Sequence, residues 1–243
     1  MLVAIHQPHY IPWLGYLDRM RKADVFVILD HVQFERRNYQ NRTTILLEGE
    51  GRLLTVPVVQ LSQKESILEK AVDNSETGSR QWGPNHFKTL KYAYRKAPHF
   101  AQYAPRLQEI LEARWEKLVD LDLAMLDFLR DAFRITTPTV RSSQLQAEGA
   151  RSDLLLNICR KIAPGSTFLG GLGGSRGYLD LEAFAQAGIG VEWQQFTHPT
   201  YAQCGGGPFV PGLMSLDALF NLGPAACDLI HGDAIPHDER IAA

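Results

Sequence analysis

Histidine, amide and phenol groups follow the first apolar segment of the chain. Residues 2–5 are short, apolar and branched, which is typical of a buried strand. His6, Gln7 and Tyr10 come directly after that segment. A histidine at the end of a strand is suited to act as a general base or as a hydrogen-bond donor. We therefore predict that His6 is catalytic and that Gln7 and Tyr10 bind substrate, although backbone groups could equally satisfy the imidazole.

His6 and His9 are three residues apart, a spacing that raises the question of a metal site. No acidic or cysteine partner lies near them at a familiar metal-ligand spacing. Pro8 and Pro12 also prevent a regular helix from bringing both imidazoles to one face. The sequence therefore predicts no metal site here.

A second polar cluster follows a second apolar segment, residues 25–29. Amide and guanidinium groups in that position suit a sugar, a phosphate or a carboxylate. We predict that Asp30, Gln33 and Arg42 bind substrate and that the Asn41 amide steadies an oxyanion. For the adjacent pair at positions 36 and 37, ordinary surface charge remains an equal alternative.

A glycine-rich loop covers residues 170–177, between an apolar segment and a helical one. Small residues in such a place allow backbone N–H groups to close around an anion. The spacing matches neither a Walker A motif nor GxGxxG, so a flexible tight turn is the alternative. Four residues of this region are predicted to bind substrate: Gly173, Ser175, Arg176 and Tyr178.

The last polar cluster begins at His198 and includes Tyr201, Gln203 and Cys204. His198 follows another apolar segment and is the predicted general base, with Tyr201 and Gln203 as substrate-binding residues. Cys204 raises the hypothesis of Cys–His covalent catalysis. A buried or incidental thiol is the more common role of an unpaired cysteine.

The elements that must position these clusters alternate between strand-like and helical patterns. This alternation predicts an α/β fold with a Rossmann-like, mostly parallel sheet and an inserted helical segment. We expect one domain over residues 1–243, with the helical segment 81–134 packed beside the sheet. The predicted strands cover residues 2–5, 25–29, 136–140, 166–169 and 189–193. The predicted helices cover residues 14–22, 65–70, 85–94, 99–114, 118–133, 152–162 and 178–187. A hairpin is predicted to turn at residues 49–51. Ligands of such sheets bind beyond the carboxyl ends of the strands, so the polar clusters should converge there.

Composition narrows the classes of partner and compartment. The net charge is −2, with 45% hydrophobic and 21% charged residues, so nothing draws the whole chain toward nucleic acid. No apolar run approaches the roughly 20 residues of a membrane span. Three cysteines without CxxC spacing predict neither a disulfide framework nor a zinc site. We expect a cytoplasmic protein without a membrane span.

Several motifs in order resemble the WbqC-like family across nearly the whole chain, up to about residue 231. The similar segments are Gln7-Pro8, Gly15-Tyr16, Asp30-x-Val32-Gln33, Asn41-Arg42, residues 54–58, 86–88, 97–100 and 177–179, His198-Pro199-x-Tyr201-x-Gln203, and residues 215–224. The family often has methionine where this chain has His6, and position 204 is not characteristically cysteine. Those two departures weaken the expected roles of His6 and Cys204.

The resemblance implies a role in O-antigen, other polysaccharide or small-molecule biosynthesis, acting on an activated amino sugar or a related amine. We expect a transferase that passes an acyl or aminoacyl group from a thioester to that amine. Lys88 joins the substrate-binding set as a further cation for phosphate or carboxylate. No cofactor is certain; the candidate donor is a thioester of coenzyme A or of an acyl-carrier protein, and the candidate acceptor is a small molecule such as a nucleotide sugar.

Two alternatives stay open. The histidines after the first strand are also typical of Rossmann-like nucleotidyl transferases, which would make the protein an ATP-using or amide-forming enzyme. The absence of HxGH spacing counts against that hypothesis. The other alternative is a binding protein without catalytic activity in a biosynthetic cluster.

Overall fold

A parallel sheet forms the centre of the molecule. The computed structural model describes residues 1–62, 64–171 and 173–231. The strands in this part are β1 (Leu2–His6), β2 (Val25–Ile28), β3 (Arg42–Leu47), β4 (Glu50–Thr55), β5 (Thr139–Arg141), β6 (Thr167–Gly170) and β7 (Gly190–Trp193). Five of them form one sheet in the order β5-β2-β1-β6-β7, and every neighbouring pair is parallel.

Alternate residues of the central strand face two different hydrophobic clusters. Val3 and Ile5 pack into a smaller cluster, whereas Ala4 between them packs into the larger one. This two-residue period follows from the pleat of a strand. Both faces of β1 are therefore buried, which explains why its sequence is a continuous apolar run.

Helices cover the sheet on both faces. They are α1 (Leu14–Lys22), α2 (Trp82–Tyr94), α3 (Phe100–Glu112), α4 (Leu118–Ala132), α5 (Arg151–Ile162), α6 (Leu181–Gln186), α7 (Ser215–Leu222) and α8 (Asp228–His231). The apolar sides of α5 and α6 join the smaller cluster, and those of α1, α2, α3, α4 and α7 join the larger. The protein thus has the α/β, Rossmann-like fold that the alternating pattern predicts.

The chain order of the strands reverses at the centre of the sheet. β2 and β5 lie on one side of β1, and β6 and β7 lie on the other. In doubly wound sheets the loops diverge at such a reversal and leave a crevice beyond the strand ends. The fold therefore places a crevice between the carboxyl ends of β1 and β6.

The hairpin and several element boundaries differ from the predicted ones. Its turn is Glu48-Gly49, whose φ angles are 55° and 81°. A two-residue turn of this kind needs positive φ at both central positions, so the turn begins one residue before the predicted one. Residues 65–70, predicted to be helical, form turns, because Ser66 pairs with Gln33 as an isolated bridge.

Capping explains the changed helix starts. Asp180 accepts a hydrogen bond from the Ala183 N–H, so α6 begins at Leu181 and not at the predicted residue 178. The hydroxyl of Ser152, the predicted cap of α5, instead accepts from the Asp180 N–H at 2.8 Å. Within the described residues, no helix has the length and apolar character required to cross a membrane.

Candidate functional site

A cleft of about 500 Å³ opens where the strand order reverses. The ends of β1, β6 and β7 and one side of α1 contribute to its walls. Four of the predicted site residues line it, namely His6, Gln7, Gly173 and Tyr178. The polar segments after β1 and β6 therefore meet in space as the sheet topology requires, and Glu35, Asn38 and Tyr39 from the segment after β2 line the same cleft.

Arg19 lies at the bottom of this switch-point cleft. Its side chain projects from α1, and the residue is only 6% exposed. Among the described residues no carboxylate or hydrogen-bond acceptor contacts its guanidinium, and its buried Nε has no partner. Burial lowers the pKa of Arg19 to about 10, so the group stays charged at neutral pH. An unpaired buried cation is costly, and a bound anion would offset that cost.

The approach of Arg19 to the cleft depends on a glycine of the β6 loop. A methyl group at Gly171 would overlap the Arg19 guanidinium, whereas one at Gly173 would meet nothing within 4 Å. The first turn of α1 adds to the positive potential, since Trp13 and Gly15 also line the cleft and no side chain caps that helix end. The bottom of the cleft is thus built to receive a phosphate or a carboxylate.

A carboxylate lies at the rim of the same cleft. Glu35 is exposed there and accepts a hydrogen bond from the Asn38 amide at 2.8 Å. Tyr178 lines the cleft as well; burial raises its pKa, the nearby Arg151 guanidinium lowers it, and the charge of Glu35 raises it. The cleft therefore offers a buried cation and an exposed anion to one ligand.

Two histidines and a tyrosine form another part of the cleft lining. The His6 and His9 rings lie 4.6 Å apart, and the Tyr16 ring lies 4.7 Å from His6. His6 Nδ1 lies 2.9 Å from the Gln7 carbonyl oxygen. Since a carbonyl only accepts, Nδ1 carries the proton and Nε2 of neutral His6 holds a lone pair. His6 can therefore accept a proton in the cleft.

His9 is the more buried of the pair, at 8% exposure. Burial lowers its pKa to about 4, so its ring is neutral under ordinary conditions. His9 Nδ1 and the Tyr16 hydroxyl are buried and have no partner among the described residues. Most buried polar groups are hydrogen-bonded, so His9 Nδ1 is a candidate partner for a ligand. The Tyr16 hydroxyl instead lies near the buried Asp122 carboxyl, and burial together with that carboxyl raises the pKa of Tyr16.

The Gln7 amide is oriented by a neighbouring glutamine. Gln40 Nε2 donates to Gln7 Oε1 at 2.9 Å, and Gln40 Oε1 accepts from the Glu35 N–H at 2.9 Å. This chain of contacts leaves the Gln7 NH₂ group as the donor available to the cleft. Asn41 adjoins Gln40 and donates to the Val56 carbonyl at 2.8 Å, so its own amide does not line the cleft.

His198 lies next to the cleft, against one of its walls. Its ring stacks on Trp13 at 6.4 Å and 12°, and Trp13 lines the cleft while His198 does not. Its Nδ1 is 2.9 Å from the Pro199 carbonyl, which leaves a lone pair on Nε2. That Nε2 is buried and has no partner in the described part of the chain.

Tyr201 and Gln203 hold a buried aspartate behind His198. Tyr201 donates to Asp217 Oδ1 at 2.7 Å, Gln203 donates to the same oxygen at 3.1 Å, and Tyr94 donates to Oδ2 at 2.9 Å. Burial raises the pKa of Asp217, and these hydrogen bonds lower it in part. Both predicted substrate-binding residues therefore support this carboxylate and do not line the cleft.

Asp30 is also engaged within the protein. Arg141 Nε donates to its Oδ2 at 2.6 Å, and the Ser142 and Ser143 hydroxyls donate at 3.0 and 2.9 Å. Burial raises the pKa of Asp30, but the hydrogen bonds from Arg141 and Ser143 outweigh it and leave the pKa below its ordinary value. The carboxylate fastens β2 to the segment after β5.

Tyr10 is tied to α2. Its hydroxyl lies 2.9 Å from His86 Nδ1, and His86 Nε2 lies 3.1 Å from the Thr55 carbonyl. The carbonyl requires Nε2 to carry the proton, so Tyr10 donates to Nδ1. Burial lowers the pKa of His86 to about 4, which keeps this relay neutral.

The remaining predicted residues lie elsewhere. Gln33 is exposed and belongs to a separate depression, Lys88 is exposed on α2, and Arg42 is half-buried at the start of β3. Arg176 is exposed, with its guanidinium 5.0 Å over the Trp193 ring. The side chain of Ser175 lies outside the described residues.

A metal site and a reactive thiol each require a particular geometry of the residues around them. In the described ranges, no group of three or more histidine, cysteine, aspartate or glutamate side chains could hold a metal ion. Burial and the nearby Asp217 raise the pKa of Cys204, which keeps its thiol protonated. A neutral thiol is a poor nucleophile, which disfavours the Cys–His hypothesis.

Sequence reasoning missed Arg19 and Glu35. Arg19 looks like an ordinary basic residue of an amphipathic helix. Its spacing offered one signal, since it lies four residues after Gly15 and three after Tyr16, on the side of α1 that those residues share. Gly15 and Tyr16 belong to the motif that follows the first strand.

Comparisons with known proteins agree with the sequence motifs. The model of the WbqC-like protein family matches residues 7–229. The uncharacterized protein Rv1507c of Mycobacterium tuberculosis is 32% identical over 231 residues, which cover 94% of this chain and 96% of the relative. No solved structure matches the chain significantly. The family match spans both walls of the switch-point cleft and the His198 segment, and the chain belongs to the WbqC-like protein family.

Proposed function

We propose that the protein is a transferase that passes an acyl or aminoacyl group from a thioester to the amine of an acceptor bearing an anionic group. The observation that carries the proposal is the buried, unpaired Arg19 at the bottom of the switch-point cleft. An acceptor such as an amino-sugar phosphate or a nucleotide sugar carries both an anion for Arg19 and an amine for Glu35. The association of the family with polysaccharide and small-molecule biosynthesis supports this class of acceptor.

The residues of the cleft suit the steps of such a transfer. Arg19 binds the phosphate or carboxylate, and Glu35 attracts the ammonium group of the acceptor. The ammonium group first loses one proton to solvent, which gives the neutral amine. His6 Nε2 then takes the second proton that the nitrogen loses as it attacks the thioester carbonyl carbon. The Gln7 NH₂ group donates to the resulting oxyanion, a role worth roughly 3 kcal/mol in known enzymes. The C–S bond then breaks, and the leaving thiolate takes the proton from His6.

His198 and Asn41, which the sequence predicts to be catalytic, have positioning roles in this proposal. His198 supports the Trp13 wall of the cleft from behind. Asn41 fixes the chain next to Gln40, which orients the Gln7 amide. The donor would be a thioester of coenzyme A or of an acyl-carrier protein. Such a donor supports a reaction in the cytoplasm, where the three free cysteines would remain reduced.

An assay of thiol release from acyl-coenzyme A tests the proposal, with glucosamine 6-phosphate as the first acceptor and nucleotide amino sugars next. We expect His6→Gln to lower the rate by about 10²- to 10⁴-fold, the usual contribution of a general base. His198→Gln should lower it less, because that ring does not line the cleft. A larger loss with His198→Gln than with His6→Gln would move the base to His198. Absence of acceptor-dependent thiol release across the panel would contradict acyl transfer.

The position of the histidines favours one other function. His6 ends β1 and His9 lies in the loop between β1 and α1, at the switch point, where Arg19 could equally hold a nucleotide phosphate. An ATP-using nucleotidyl transferase or amide-forming enzyme would use the same cleft. Magnesium-dependent release of pyrophosphate from ATP, without any thioester, would favour that function over acyl transfer.

A further inference from the structure

A second cavity adjoins the switch-point cleft. Its volume is about 320 Å³, and it lies against the loop between β1 and α1 and against β3. Three residues line both spaces, namely His9, Trp13 and Tyr39. The lining specific to the second cavity is Tyr10, Ile11, Pro12, Thr43, Thr44, Gly212 and Met214.

The two spaces differ in charge. The cleft contains Arg19 and Glu35, whereas none of the described side chains that line the second cavity carries a charge at neutral pH. His9 is kept neutral by burial, which lowers its pKa to about 4, and the Tyr10 hydroxyl donates to His86. A charged group would lose hydration in the second cavity without gaining a partner, so its occupant is uncharged and mainly apolar.

The junction between the two spaces is polar. His9 lines both spaces and is 8% exposed, and its buried Nδ1 has no partner among the described residues. The His6 ring lies 4.6 Å away on the cleft side. A ligand that spans the junction would therefore place a polar atom there, between an apolar part and a charged part.

The wall of the second cavity includes a strained residue. Ile11 has φ +46°, an unfavourable angle for a β-branched residue, and it is 1% exposed. Thr43 donates to the Ile11 carbonyl at 2.9 Å, and the Tyr10 N–H donates to the Tyr39 carbonyl at 3.0 Å. These bonds hold the loop in a conformation that packing alone does not favour, as is common at ligand sites.

We infer that the second cavity binds the apolar acyl chain of the donor, with the reacting carbonyl at the His9 junction. The inference rests on the proposed function and adds to it a donor class, a thioester of an uncharged aliphatic acyl group. In that arrangement the acceptor amine approaches from the cleft side, next to His6. The acyl chain and the acceptor then occupy separate spaces that meet at one carbonyl.

Neutral S-acyl-N-acetylcysteamine thioesters test the inference without any phosphate. Burying one methylene contributes about 0.8 kcal/mol, so affinity should rise roughly fourfold per added methylene until the cavity is full. The series from acetyl to octanoyl would be titrated by calorimetry into the wild-type protein. An affinity that does not depend on chain length would overturn the inference.

Thr44 gives a matched pair of variants on the hairpin. Thr44→Phe fills the cavity and should remove the dependence on chain length, while Thr55→Phe, at an exposed position of β4, should retain it. If Thr44→Phe does not fold, as judged by circular dichroism, the smaller Thr44→Ile suits a strand and should shorten the preferred chain. A dependence on chain length that both Thr44 variants leave unchanged would overturn the inference.

Arg19→Met separates this inference from the proposed acceptor site. The neutral probes do not need a cation, so this variant should keep the dependence on chain length. It should lose the response to glucosamine 6-phosphate at the same time. Loss of the chain-length dependence in Arg19→Met would count against a separate acyl cavity. If the wild-type protein shows the chain-length dependence but does not respond to glucosamine 6-phosphate, that result would count against the acceptor site only.

Discussion

At the scale of single residues, the proposed anion site depends on Arg19. A buried guanidinium without a partner costs the free protein stability, and methionine fills a similar volume without that cost. We predict that Arg19→Met raises the free energy of unfolding by about 1–3 kcal/mol in the absence of ligand. Urea denaturation followed by circular dichroism measures it. Arg160→Met, at an exposed site of α5, is the control, and its free energy of unfolding should stay within about 0.5 kcal/mol of the wild-type value. A loss of stability with Arg19→Met would show that Arg19 is paired in solution.

The sequence identifies part of the candidate site at this scale. His6, Gln7, Gly173 and Tyr178 line the cleft because residues directly after parallel strands reach the same edge. The hydrogen bond from Arg141 to Asp30 joins residues that are 111 positions apart, and local sequence patterns do not encode such a contact. For the same reason, the unpaired state of Arg19 is visible only in the folded protein.

At the scale of elements, the loop after β6 controls how closely α1 approaches the cleft. Gly171→Ala should displace the Arg19 guanidinium and weaken phosphate binding by about tenfold, equivalent to about 1.4 kcal/mol. Gly173→Ala is the matched control in the same loop, where a methyl group meets nothing within 4 Å. Phosphate titrations by calorimetry compare the two variants. Equal weakening in both would assign the effect to loop flexibility and not to Arg19.

Elements were predicted more reliably than their ends. The strands around residues 2–5 and 166–169 can be predicted from their apolar composition. For β1, this composition is explained by the burial of both faces of the strand. Starts and stops depend on single contacts, such as the Asp180 cap that begins α6 and the positive φ angles that fix the turn at Glu48-Gly49. The sequence shows that such residues can cap or turn, but tertiary contacts decide which of them do.

At the scale of the whole molecule, the larger core contains an acid that weakens it. Asp122 of α4 is 1% exposed, and neither carboxyl oxygen has a partner in the described part of the chain. Burial raises its pKa well above the ordinary value, so the folded protein binds a proton that the unfolded chain releases above about pH 4. We predict that Asp122→Leu stabilises the protein by about 1–3 kcal/mol at pH 7.

The pH dependence of that gain follows from the same shift. As the pH falls toward 4, the unfolded wild-type chain also takes up the proton, so the cost of Asp122 shrinks and the advantage of the variant declines. Urea denaturation at pH 7, 5.5 and 4 measures the trend. Asp131→Leu, at an exposed site of α4, serves as the control and should show no such trend. An advantage that grows on acidification would contradict a raised pKa.

The sequence predicts that the sheet is parallel, but it does not predict the order of the strands. Alternating strands and helices indicate a parallel sheet, but the order β5-β2-β1-β6-β7 depends on long-range pairing, such as that of Phe26 with Thr139. That order creates the switch point, and the switch point brings the loops after β1 and β6 together. The position of His198 against Trp13 likewise depends on packing between distant segments.

The most direct test of the account measures whether phosphate stabilises the protein through Arg19. Thermal unfolding would be followed at constant ionic strength with increasing inorganic phosphate and then with glucosamine 6-phosphate. We predict that Tm rises with the logarithm of ligand concentration above the Kd for the wild type and for Arg160→Met, with a stabilisation of about 1.4 kcal/mol at ten times the Kd, and that Tm does not rise for Arg19→Met. Equal stabilisation of the wild type and Arg19→Met, or none in the wild type with either ligand, would contradict the assignment of the switch-point cleft as an anion site.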